Sequence, residues 1–213
     1  MQELKAFEPH ELDAFGSPLW LTAVANHDDP NHLVHVVRGV DAAYALTALG
    51  VSAYSIVPCN LPEQRPKAGI SLPRAALHPV NPMAALLAAQ IGEWTFIYDD
   101  LGYTLFPQGP QQTGAQLLSA AGTAAATSYW TVTGDQGFLY AIGGRLLVDE
   151  MFLTESRVPA GAPPELRAAV SAADVGGADL RQQINMRVIS ALAGIPSTLE
   201  ELRELSLFVA PVD

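Results

Sequence analysis

The sequence predicts an α+β fold: a mostly antiparallel sheet with short helices on one face and a helical C-terminal portion packed against it. Three observations predict it. Strand-like segments follow one another through short turns, which favours antiparallel neighbours. Between some of them, apolar residues recur at helical spacing and end in glycine. Beyond residue 164 the strand signals stop, and helical ones dominate to about residue 208. A chain of 213 residues fits one domain, 1–213, of which 164–208 is the helical part.

The elements follow in order. The stretch "NHDDPNHLVHVVRG", Asn26 to Gly39, reads as a turn followed by a strand. His32 to Val37 is β-branched and apolar enough to be buried on both faces. Asp41 then caps a short helix whose inner positions are Ala42, Ala45, Leu46 and Leu49, with Gly50 at its end. Ala53 to Pro58 reads as a second strand. Prolines 58, 62, 66, 73, 79 and 82 make the next segment a long irregular excursion. The segment "NPMAALLAAQIG" predicts a helix, with Asn81 as cap, Pro82 in the first turn, and Met83, Leu86, Leu87 and Ile91 facing inward.

Trp94 to Tyr98 alternates as a strand. Asp99 to Gly102 is read as its turn and Tyr103 to Phe106 as the returning strand. Thr113 caps a short helix. A three-strand meander follows, turning at Gly134 to Gly137 and at Gly143-Gly144. Its first strand carries Ala124, Ala126, Ser128 and Trp130 on one face, so a helix can lie close there. Helices are expected at about Glu165 to Val175, at Leu180 to Ala193, and from "STLE", where Ser197 and Glu200 have capping-box spacing.

Composition narrows the function classes. The formal net charge is -11, and Lys5 and Lys67 are the only lysines. Such a chain repels phosphate backbones and anionic bilayers, so neither nucleic acid nor membrane is expected as a partner. No apolar run approaches the roughly 18 residues of a membrane span. The acidic N-terminus lacks a basic start and does not read as a secretory signal. Cys59, the single cysteine, cannot form an intramolecular disulfide, and the expected compartment is the cytoplasm.

Candidate sites are few. His32 and His35 are three apart, so in a regular strand they face opposite ways and cannot share an ion. His27, Asp28, Asp29 and His32 could contribute to a metal site only with ligands from elsewhere, and none is expected. No dinucleotide fingerprint, phosphate loop, HExxH pair or CxxC pair occurs, so no cofactor is expected. Cys59 has no visible activating neighbour. Adjacent Asp99 and Asp100 suit acid/base chemistry if their environments differ, but read first as solvated turn residues. Asp149 and Glu150 face opposite sides of a strand. Arg38 closes an apolar strand before a glycine; it reads as a salt-bridge partner or carbonyl clamp that orients the strand-to-helix turn, or as an anion-binding group.

The strand-to-helix segment "VRGVDAAYALTALG", the hairpin "GEWTFIYDDLGYT", the meander and the closing "ALAGIPSTLEELRELSLFVAPV" together resemble an actinobacterial family of unknown function. The resemblance runs from about Leu33 to Val212. It implies no activity, cofactor or catalytic residue. It marks Arg38, Gly39, Leu49, Gly50 and Trp94 as shared features, places His35 where a non-titrating residue is expected, and makes the segment from Pro58 to Pro82 an elaboration.

The first expectation is therefore a non-enzymatic module that binds another protein. The residues nominated for binding are Arg38, Trp94, Tyr98, Asp99 and Asp100. The alternatives are a cofactor-independent, hydrolase-like enzyme assembled from Arg38, Asp99, Asp100 and a histidine, or a small-molecule sensor with a pocket under Trp94, Tyr98, Trp130 and Tyr140.

Overall fold

The computed structural model describes residues 6–25, 31–64, 69–107, 109, 111–175 and 183–212. The strands are β1 (His32–Arg38), β2 (Val57–Cys59), β3 (Ala84–Ile91), β4 (Trp94–Asp99), β5 (Ala124–Trp130), β6 (Gln136–Ile142), β7 (Arg145–Glu150) and β8 (Leu207–Val212). They form one sheet in the order β2-β8-β3-β4-β1-β5-β6-β7, and every neighbouring pair is antiparallel. The helices are α1 (Leu19–Val24), α2 (Ala42–Ala48), α3 (Leu72–Ala76), α4 (Gly114–Ser119), α5 (Pro164–Ala173), α6 (Ile184–Ala193) and α7 (Leu199–Arg203). The α+β architecture expected from the sequence is the architecture observed.

β1 is central because its apolar run can be buried on both sides. Val34 and Val36 pack toward Trp20 and the helical C-terminal portion, where Val170, Val188 and Leu192 close the larger core. Val37 points to the other face and meets Leu46 of α2, Leu118 of α4, and Leu86 and Ile97 from the neighbouring strands. Asp41 caps α2 as expected, accepting from the Tyr44 amide at 2.7 Å. Thr113 caps α4 in a capping box with Gln116. The small residues of β5 let α6 lie close, with the Ser128 hydroxyl 3.3 Å from the Met186 sulfur.

Several expectations are overturned. The segment after Asn81 is a strand, β3, and not a helix. Alanine and leucine favour helices, but propensity is weak beside burial on both faces of a sheet. Leu87 and Ala89 enter one core and Leu86 and Ala88 the other. Gly92 and Glu93 then form a two-residue turn, with Ile91 paired to Trp94 and Gly92 at φ 56°. Tyr103–Leu105 is a single 3-10 turn, not a returning strand. The strand expected at Ala53 to Pro58 shrinks to Val57–Cys59 behind a 3-10 turn, and Cys59 is a strand residue. The proline-rich excursion contains α3, capped by Ser71. The last capping box is Thr198 with Glu201, one residue later than the spacing suggested. Helix α1 and the final strand β8 have no counterpart in the sequence reading.

α6 is buried along its whole length, polar residues included. The Asn185 side chain donates to the Met151 carbonyl at 2.7 Å and accepts from the Leu153 amide at 2.9 Å. Arg187 donates to the carbonyls of Ala173 and Gly16 at 2.8 and 2.6 Å. Burial pulls the Arg187 guanidinium down to about 10, with Asp174 opposing. Arg187 thus ties the end of α5 and the segment before α1 to the core helix. Arg187→Met keeps most of the volume and leaves both carbonyls without their donor. Chemical denaturation should show a loss of about 2–4 kcal/mol; an unchanged midpoint would mean that the clamp contributes nothing.

Candidate functional site

The pairing of β1 with β4 runs from Leu33↔Asp99 to Arg38↔Trp94, five residues apart. That is about 17 Å along a strand. The nominated residues therefore divide between two ends of the sheet. Arg38 and Trp94 share one end, and Asp99 and Asp100 sit at the other. No single site can join Arg38 to the two aspartates, so the hydrolase-like constellation is not assembled.

At the aspartate end, both carboxylates are buried rather than solvated. Asp99 is an acceptor for four donors: the amides of Leu101, Gly102 and Thr104 at 3.1, 2.9 and 2.7 Å, and the Thr104 hydroxyl at 2.7 Å. Since Thr104 gives its one hydroxyl proton to Asp99, it must accept from His35 Nε2–H at 2.9 Å. His35 Nδ1 then accepts from the Thr127 hydroxyl at 2.7 Å. This chain fixes one tautomer. His35 is fully buried, and that burial pulls it down to about 3, so the ring stays neutral. Gly114 sits on the imidazole so closely that a Cβ would lie 2.4 Å from His35 Cε1. The network is closed to solvent and already satisfied.

Asp100 faces other partners. It accepts from the Ala85 amide at 2.8 Å and from the Ser71 hydroxyl. Burial pushes it up to about 6, against the pull of its hydrogen bonds to Ser71 and Ala85, and the Asp99 charge adds to the rise. The adjacent aspartates should respond oppositely to amidation. In Asp99→Asn, an NH₂ group faces donors whichever way it is turned, at a cost of about 2–4 kcal/mol. In Asp100→Asn, the oxygen keeps Ala85 and the NH₂ group can donate to Ser71. A raised native pKa means that the stability Asp100 contributes is full below about pH 4 and is lost as pH rises through about 6. Asp100→Asn should therefore gain nothing at pH 4 and about 3 kcal/mol at pH 7. Urea midpoints across that range check both variants; equal effects at both pH values would refute the assignment.

The Arg38 end is open. A cleft of ≈ 540 Å³ is lined by Arg38, Glu93 and Glu165, by Ile91 and Trp94, and by Ala168 and the end of α6 at Leu192, Ala193 and Gly194. Arg38 Nε donates to Glu93 at 2.9 Å, and Arg38 Nη1 lies 3.6 Å from Glu165. The three side chains are 42, 60 and 36 % exposed. The hydrogen bond that Arg38 donates to Glu93 raises the Arg38 pKa further, so the guanidinium is always charged. The Arg38 carbonyl accepts from the Thr123 hydroxyl, which holds the strand end. Tyr140, on the same face of the sheet, feels both Arg38 and Glu165. Its hydroxyl is buried and has no hydrogen-bond partner among the described residues.

The four aromatics do not enclose one pocket. Tyr98 is core, edge-on to Trp20 at 6.1 Å with its hydroxyl 3.4 Å from His32 Nδ1. Trp130 packs against that same core, and only Trp94 lines the cleft. Cys59 is half-buried, and burial pushes its thiol up to about 11, which keeps it protonated. His27, Asp28 and Asp29 lie outside the described residues. Among the described residues, no three His, Cys, Asp or Glu side chains gather as metal ligands, and no helix is long and apolar enough to cross a membrane. Glu93 and Glu165 escaped the sequence reading, because one sits in a tight turn and the other opens a helix about seventy residues later. No protein-family model, curated protein or solved structure matches the chain, so no residue role is carried over from another protein.

Proposed function

We propose that the chain is a non-enzymatic binding protein and that its ligand is a small molecule held in the Arg38 cleft. The observation that carries this reading is the convergence of three exposed charged side chains on a partly apolar cleft of ≈ 540 Å³. Ligand pockets usually span about 300–1,000 Å³ and combine apolar walls with a few placed polar groups. The sensor alternative thereby moves ahead of the protein-partner reading, with its pocket at Arg38 and not under Tyr98. The histidine–aspartate network argues for binding over catalysis, because its hydrogen bonds are spent internally and it is sealed.

A panel of amino acids, amines, carboxylates, sugars and nucleosides, screened by thermal shift, tests the reading. At about a hundredfold excess over Kd, a binder should raise Tm by roughly 5–10 °C. Ala168→Trp, which fills the cleft from the exposed side of α5, should abolish that shift while leaving the unliganded Tm near its original value. A panel with no responder, or a shift that survives Ala168→Trp, would count against it.

A second reading, a protein partner, is favoured by one observation. Met83, Tyr103 and Phe106 are 59, 49 and 46 % exposed on the loops at the aspartate end, and the Tyr103 hydroxyl touches the Met83 sulfur at 2.7 Å. With the charge of -11, such a patch suits a partner that is basic around an apolar centre. Crosslinking in native extract should then capture a partner that a Met83→Ser, Tyr103→Ser variant loses; capture unaffected by the variant would remove this reading.

A further inference from the structure

Resting on the cleft as a ligand site, we infer that its ligand is a zwitterion of the amino-acid type, with its carboxylate on Arg38, its ammonium between Glu93 and Glu165, and an apolar body against Trp94, Ile91 and Leu192.

The charges select this class. Two carboxylates beside one guanidinium give the cleft a net charge of about -1, and the chain as a whole is acidic. A bare anion is repelled by both. A bare cation finds the carboxylates but must approach Arg38, and the always-charged guanidinium cannot withdraw its charge. A ligand carrying both signs meets each group with its complement.

The hydrogen-bond inventory points the same way. Arg38 uses Nε on Glu93, and the 3.6 Å separation from Glu165 is too long for a hydrogen bond. The terminal guanidinium nitrogens therefore keep donors in the fork geometry that a carboxylate accepts in pairs. Glu93 and Glu165 are exposed enough to keep lone pairs for a further donor. α6 ends in the cleft, so the negative end of its backbone dipole adds to the pull on an ammonium group. The apolar wall offers Trp94, Ile91 and Leu192, while Gly92 and Gly194 put no side chain in the way.

Matched probes test the class. L-leucine, isopentylamine and 4-methylpentanoate share one apolar body and differ in which charges they carry; L-tryptophan, tryptamine and indole-3-propionate repeat the series with a larger body. By calorimetric titration, the zwitterion of at least one series should bind tenfold or more tightly than its amine and its acid. Arg38→Gln should reduce zwitterion affinity at least tenfold. Glu165→Gln should do the same, and thermal melts of both variants show whether they remain folded. Should an amine or an acid bind as tightly as its zwitterion, the class is wrong and the cleft stands. The same holds if all six probes fail while another compound gives a shift that Ala168→Trp abolishes. If nothing in the wider panel binds in the cleft, the class and the cleft fall together.

Discussion

The antiparallel pairing of β1 with β4 is the constraint on which the rest of the molecule depends. Both strands are buried on both faces, so neither can carry a polar side chain along its middle unless that side chain is matched. His35 meets this condition through Thr104 and Thr127, and Thr95 through the Val40 carbonyl. Charged side chains are confined to the strand ends. One end turns inward, where Asp99 organises the chain from Leu101 to Thr104 by accepting its amides. The other end turns outward, where Arg38 meets Glu93 in the β3–β4 turn and Glu165 from the opposing helix. The same backbone register that builds the core thus separates a closed polar cluster from an open one.

That separation explains why the most suggestive residues in the sequence are not where function is best sought. A histidine, two threonines and an aspartate in hydrogen-bonded series have the makings of a proton relay. Here each proton already has a destination, and Gly114, the first residue of α4, lies against the imidazole. A neutral histidine and a carboxylate with four donors form a lock that fixes a loop and a helix start to the sheet. The His35–Thr104–Asp99 series itself offers no unmet group to solvent, because all of its members are buried and hydrogen-bonded to one another or to backbone amides. At the Arg38 end, the guanidinium and both glutamates retain unspent hydrogen-bonding capacity.

Much of the fold was legible in the sequence because burial and periodicity agree there. β1, α2, α4, the meander and the C-terminal helices all pair an apolar period with a cap or a turn. β3 was misread because its alanines and leucines satisfy a helical spacing as well as a strand, and Asn81-Pro82 mimics a helix start. The discriminating signal was Gly92-Glu93 between Ile91 and Trp94, a two-residue link that fits a hairpin better than a helix end. β8 was missed because its place lies between β3 and β2, far from it in sequence. Of the site, Arg38 and Trp94 were visible as a strand end and an aromatic, and the register makes them neighbours. Glu93 and Glu165 could not be joined to them, because Glu165 reaches Arg38 only once α5 lies over the sheet. Asp99 and Asp100 looked like a solvated tip because adjacent aspartates in a turn usually are. Their burial depends on Ser71 and Thr104, which only the folded loops bring in.

The sheet edges bear on what kind of recognition remains available. β2 pairs over three residues and carries Pro58, which has no amide to donate. At the far edge, β7 follows a register shift near Tyr140 and Ala141 and presents Arg145, Asp149 and Glu150. Both edges thus resist the addition of a further strand. The cleft exists because two elements stop at the same level: α6 ends at Gly194, with φ 66°, and the β3–β4 hairpin turns at Gly92. A left-handed backbone at each position favours glycine, so neither end can readily grow a side chain that would close the gap. The opening beside Arg38 is therefore set by backbone geometry, and it persists whatever rotamers its charged rim adopts.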